Sequence, residues 1–157
     1  TTRVDCRRGL PLGAGAARGI DVEHYFAHLE PTTVRPRLLA ACRRCLEPGG
    51  VLRIIVPDMR KYVEAYLADD WTMLNEIGCG GELPQSAFAT KMEALNHVFV
   101  QDGEHYGGFD AEYLRRTLEQ AGFADIEQVG WREGRFPEGP IDREQHRPYS
   151  LFMEARR

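Results

Sequence analysis

The residues of this sequence with chemistry to offer are its five histidines, its four cysteines and the few carboxylates that close apolar runs. His24 and His28 stand four apart, a spacing that would put two imidazoles on one helix face and suits a metal ion. The pair lacks the adjacent glutamate of a zinc-hydrolase helix, and no third ligand is evident. Proton transfer is the other chemistry open to histidine near neutral pH. His105, in Glu104-His105-Tyr106, is a candidate base or substrate-binding group, with an exposed loop histidine as the plain alternative. Asn96-His97 reads as a packed or capping pair, and His146 lies in a loop with little signal. Cys42-x-x-Cys45 has the spacing of a redox or zinc pair, but it falls on the apolar stripe of a helix with no second such pair, and reads as buried helical cysteine. Asp5, Glu23 with His24, and Pro57 with Asp58 each end an apolar run. They therefore belong at the carboxyl ends of strands, where open α/β sheets hold their ligands.

Those positions depend on the elements around them. Residues 2–6 read as the tail of a strand, 7–16 as loop, 18–23 as a short strand, and 24–30 as the start of a helix or turn. Glycines at 13, 15 and 19 suggest a nucleotide-binding loop, but they precede a strand instead of following one, so they read as plain loop. The clearest helix is 32–46, where Val34, Leu38, Ala41, Cys42, Cys45 and Leu46 share a stripe. Pro48-Gly49-Gly50 ends it. Val51-Leu52-Arg53-Ile54-Ile55-Val56 follows, almost wholly apolar, as expected of an inner parallel strand covered on both faces. Asp58 can cap a helix over 59–68, and 70–84 is ambiguous, with glycines at 78, 80 and 81. A helix is expected over 85–99, and Asp110 caps another that runs through 121, closed by Gly122 and Phe123. Strands at 125–131 and 149–155 flank a loop over 132–148. The order predicts an α/β fold whose last two strands, with no helix between them, pair antiparallel at one edge.

At 157 residues the chain is one domain of ordinary globular composition, 43% hydrophobic and 28% charged. A net charge of -4, with Lys and Arg scattered, argues against a nucleic-acid partner. The apolar runs are too short to span a membrane, and no signal-peptide pattern opens the chain. Four cysteines in a chain of this size do not form a disulfide framework, which points to a reducing, cytoplasmic setting.

The segment from Cys42 through Pro48-Gly49-Gly50 to Pro57-Asp58 resembles the helix-to-fifth-strand region of class I S-adenosylmethionine-dependent methyltransferases of the type 11 kind. Asp5 through Leu10-Pro11-Leu12 resembles the "D…LPF" segment after their third strand, and His24-Tyr-Phe-Ala-His28-Leu29 the "EHxxEHL" stretch after their fourth. Asp110-Ala-Glu-Tyr-Leu114 with Leu118-Glu-Gln-Ala-Gly122-Phe123 resembles their last helix and its turn. The resemblance covers nearly the whole chain in order. It implies a Rossmann-like, mostly parallel sheet with a terminal antiparallel pair, a helical insert at about 70–105, and S-adenosylmethionine as cofactor. It places Asp5, the Cys6 backbone, Leu10 and Glu23 at the cofactor, His24 facing the transfer site, and His28 in packing. Ala27 stands where the family has Glu, so no carboxylate acts there.

The implied reaction is methyl transfer to a small-molecule or saccharide-like acceptor. The alternatives are a non-catalytic methyltransferase-like module that binds or assembles with a partner, favoured by Ala27, and a histidine-site metalloenzyme. The family's first strands and glycine-rich loop, which cradle the methionine and ribose, have no match here, so the first βαβ portion is expected to be lacking. Either a preceding segment of roughly 40–60 residues, the length of two βα units, or a second copy of the chain would then cover the open sheet edge. The tip of the run ending at Pro57 is expected to border a nucleoside pocket shared with Asp5. The expected outcome is that the 157-residue chain binds S-adenosylmethionine weakly or not at all; calorimetric titration checks this, and tight binding would refute it.

Overall fold

The computed structural model describes residues 5–76 and 88–157, the side chain of Arg8 excepted. Residues 2–4 of the first expected strand, the beginning of the expected helix at 85–99, the glycines at 78, 80 and 81, and Cys79 lie outside the described residues.

Among the described residues nine elements follow in order: β1 (Ala17–Glu23), α1 (Val34–Cys45), β2 (Leu46–Pro57), α2 (Met59–Ala68), α3 (Trp71–Leu74), α4 (Lys91–Val100), α5 (Ala111–Gln120), β3 (Ala124–Val129) and β4 (Ser150–Arg156). Short 3-10 turns stand at Cys6–Arg8, Phe26–His28, Gln101–Gly103 and Glu144–His146. The strands form one sheet in the order β1-β2-β4-β3. β1 and β2 are parallel, and β4 runs antiparallel to both β2 and β3. Three strands thus point one way and β4 alone runs against them, with β4 inside and β3 at the edge. The run ending at Pro57 is an inner strand, as its apolar composition requires.

Local chemistry sets the boundaries. The Asp58 carboxylate accepts from Arg60 N and starts α2, and Asp110 accepts from Tyr113 N and starts α5. Thr90 and Glu93 close a reciprocal capping box at α4. Gly122, at φ 82°, ends α5, and Phe123 N donates back to Leu118 O. One difference from the sequence reading is at Asp5-Cys6. Asp5 caps a 3-10 turn, its carboxylate accepting from Arg7 N, so Cys6 does not continue a strand. A side chain that satisfies its own backbone two residues on favours a turn over a ladder. The Pro48-Gly49-Gly50 stretch is the second difference. It ends α1 as expected but is already part of β2, through the pairing of Ala17 with Leu46.

α1 and α5 cover one sheet face. Leu38, Leu39 and Cys42 meet Leu114 and Leu118 over Leu52, Ile54 and Met153, all buried. Cys42 lies deep in this layer, and burial pushes its thiol up to about 12, so it is inert as a thiolate. α2 and α4 pack through Met59, Tyr62 and Val98 with Tyr149 and cap the carboxyl end of the sheet.

The opposite face is covered by the connection between β3 and β4, residues 130–149. Arg53, wholly buried at the centre of β2, holds it down. Its guanidinium donates to Asp142 at 2.8 and 2.5 Å, to Glu154 at 2.8 Å, and to the carbonyls of Glu133 (2.9 Å) and Gly130 (3.2 Å). The carboxylates accept in turn from backbone amides of the strap, Asp142 from Arg132 and Glu154 from Arg135. Phe136 and Pro137 lie on Gly19, where an added Cβ would meet the Phe136 ring at 2.8 Å. Arg53→Ala strands two buried carboxylates and is expected to cost about 3–5 kcal/mol in urea unfolding. Leu67→Ala, at a position 76% exposed, should stay within about 0.5 kcal/mol.

Candidate active site

The carboxyl ends of β1 and β2 are built to splay the chain. At the end of β1, His24 adopts a left-handed backbone (φ 47°) while its N–H still donates to Ile55 O at 2.9 Å. Such a conformation is costly for a residue with a Cβ and is typical of functional turns. His24 thereby turns toward the β3–β4 connection, while Tyr25 turns toward Cys6 and Arg7 and packs on the core. Tyr106 N donates to Ala27 O at 3.0 Å, and Met59 N to Phe109 O at 2.9 Å, which draws the segment after α4 across the sheet end. Asp58 N donates to Tyr149 O, and Lys61 Nζ to Pro148 O (3.0 Å) and Ser150 O (2.9 Å), fixing the end of the strap beside it.

Between these segments lies a cavity of about 170 Å³. All five histidines of the chain, His24, His28, His97, His105 and His146, line it. Pro57, Tyr62, Val98, Gln101 and Tyr149 complete its wall. His24 and His146 lie with ring centroids 3.9 Å apart, and His28 meets His105 edge to face at 4.5 Å. His24 Nε2 shares a 2.7 Å hydrogen bond with Ser150 Oγ. His146 Nδ1 donates to Glu23 at 2.6 Å, and Glu23 also accepts from Arg143 N at 3.0 Å. His105 Nδ1 lies 2.9 Å from Val98 O. A carbonyl only accepts, so this nitrogen carries the proton and Nε2 keeps its lone pair.

For His24 and His105 the cavity favours the neutral imidazole. Burial, then the neighbouring His146, His105 and His28, lowers His24 to about 3. Burial likewise lowers His105, partly offset by its bond to Val98. His24 and His105, the candidates from sequence, both line the cavity, and so do His97 and His146, which no local pattern marks. Glu23 does not line the cavity but stands behind His146, tied to that imidazole and to Arg143.

The other expected cofactor residues lie elsewhere. Asp5, Cys6 and Leu10 do not line the cavity at Pro57. Asp5 pairs with the Arg7 guanidinium at 2.8 and 3.1 Å at the surface, and Cys6 and Leu10 pack against the core. Phe26–His28 form a single 3-10 turn, so His24 and His28 do not stack on one α-helical face; each has a different histidine partner. Among the described residues, no group of three or more His, Cys, Asp or Glu is arranged to hold a metal ion. Nor is any described helix long and apolar enough to cross a membrane.

With its single antiparallel strand inserted between β2 and β3, and its helices α1 and α5 on one face, the chain has the fold of class I S-adenosylmethionine-dependent methyltransferases. A methyltransferase of that type from Archaeoglobus fulgidus is similar at a TM-score of 0.59 and 15% identity, over 99% of this chain and 66% of that one. One from Mesorhizobium loti is similar at 0.52 and 16%, over 99% and 68%. The [4+2]-cyclase SpnF is similar at 0.52 and 17%, over 99% of this chain but 54% of its own. The chain thus spans from about half to two thirds of the length of these structures. No protein-family model and no curated protein matches the sequence. Identities this low establish the fold, and a cyclase among the neighbours shows that the fold does not set the reaction.

Stability should report the state of His24. Between pH 6.5 and about 3 the unfolded chain binds a proton at this position that the folded chain refuses. Unfolding free energy therefore falls as pH drops through that window. Asp21, raised to about 6 by burial and by Glu23, acts oppositely, stabilising the fold as pH falls from about 6 toward 3.8. His24→Asn tolerates the left-handed backbone and removes only the first effect. Between pH 7 and pH 4 in urea unfolding, it should lose less stability than the parent, by about 1 kcal/mol or more.

Proposed function

We propose that this chain carries the acceptor side of a methyltransferase acting on a small molecule. The observation behind this reading is the convergence of all five histidines on one cavity at the carboxyl ends of two parallel strands, the place where open α/β sheets take their ligands. S-adenosylmethionine, when bound, supplies an electrophilic methyl group on a sulfonium. In this reading Asp5, Cys6 and Leu10 would take its adenine end. The Asp5 carboxylate lies at the surface beside the Arg7 guanidinium, whose side chain is 65% exposed, and exposed pairs of that kind are worth about 0–1 kcal/mol. Cys6 and Leu10 give the apolar flank next to it. The family's glycine-rich loop has no match in the sequence.

The chain's own residues would bind the acceptor and take its proton. His105 is the base in this reading, because its Nδ1–H is committed to Val98 O and its Nε2 lone pair is left for the cavity. His24, held neutral and bonded to Ser150, orients the acceptor as a hydrogen-bonding wall. Glu23 fixes the tautomer of His146. A non-catalytic binding module is the second reading, favoured by Ala27 standing where the family has a glutamate.

The test is methyl transfer by the native gene product, with deuteriomethyl-labelled S-adenosylmethionine and a panel of small hydroxylated acceptors, read by mass spectrometry. A labelled product supports the enzyme reading. Acceptor binding without any product supports the module. His105→Gln should lower kcat by about 100-fold or more, the usual worth of a general base, and an unchanged kcat would remove His105 from that role.

A further inference from the structure

We propose that the acceptor end seated in the histidine cavity is uncharged, a hydroxyl borne on a single six-membered ring, and not a carboxylate or an ammonium. This rests on reading the cavity as the acceptor pocket. Besides five imidazoles its wall offers Tyr62, Tyr149 and Gln101, and among the described residues it contains no carboxylate, ammonium or guanidinium. A carboxylate entering it would lose its water with no cation to meet it, and an ammonium would find no anion. Two charged groups just outside the lining, Glu23 and Lys61, are already committed. Glu23 is 14% exposed and accepts from both His146 and Arg143. Lys61 is spent on the carbonyls of Pro148 and Ser150.

A hydroxyl, in contrast, both donates and accepts, as a neutral imidazole does. Two ring nitrogens stand ready for it. His105 Nε2 is left with its lone pair by the Val98 bond. His97 Nε2 is buried with no hydrogen-bond partner among the described residues, a state that buried polar atoms rarely keep. Size agrees. A cavity of about 150 Å³ holds one benzene ring, and this one measures about 170 Å³. That is below the range of roughly 300–1,000 Å³ usual for whole drug-sized ligands.

The experiment is an NMR titration of the chain labelled with ¹⁵N at its histidine side chains. The probes are phenol, benzoate and benzylammonium at pH 7.5, without cofactor. Phenol should shift the Nε2 resonances of His105 and His97 saturably, and the two charged probes should bind at least about tenfold more weakly. A charged probe that binds as tightly as phenol, or the lack of a saturable response to phenol, overturns the proposal. Because no methyl transfer is read, the two ideas fail separately. Selective phenol binding by a protein that transfers no methyl sinks the enzyme reading alone. Turnover on an amine or a carboxylate sinks this proposal alone.

Discussion

Everything at the working end of this molecule depends on one buried guanidinium. Arg53 sits in register between Asp21 on β1 and Glu154 on β4, in the middle of an otherwise apolar strand. A cation without solvent is tolerable only when it is fully paired and hydrogen-bonded, and Arg53 achieves this by recruiting Asp142 and two carbonyls from the β3–β4 connection. The connection is thereby pressed onto the sheet. Its far end then delivers His146, Tyr149 and Ser150 to the tip of β1, where they meet His24. Without the guanidinium, a loop rich in glycine and proline would have little else to give it one position.

The second constraint is burial of the imidazoles themselves. Each histidine that reaches the cavity does so by surrendering water, and for His24 and His105 that disfavours the charged form. These two side chains therefore offer the cavity hydrogen-bonding groups without charge. The left-handed backbone at His24 serves the same end, because it separates the imidazole from the Tyr25 side, where Asp5 and Cys6 lie. The structure thus keeps a histidine side and an Asp5 side apart across the end of one strand.

How much of this was legible beforehand differs by element. Helices α1, α2 and α5 are written in the spacing of their apolar residues and in their caps, because those signals act within a turn or two. β2 is legible for the same local reason, an unbroken apolar run between two breakers. The 3-10 turn at Cys6–Arg8 was missed because a side chain's bond to its own backbone competes with strand pairing, and composition does not record which wins. At the site, His24 and His105 stood out from their neighbours in sequence. His97 reads as half of a packed or capping pair and His146 as loop, and nothing near either marks it as part of a site.

The sequence by itself determined the elements, the α/β class, the inner place of the Val51–Val56 run and the antiparallel final pair. Each follows from periodicity or from strand and loop lengths over short stretches of chain. Only the tertiary structure decided that five histidines separated by up to 122 positions share one cavity, that Arg53 belongs to a buried ionic cluster and not a surface, and that Asp5 stands apart from the cavity at Pro57. Those facts depend on where the strap and the segment after α4 come to rest. That is set by long-range pairing and desolvation, and no short window of sequence contains either.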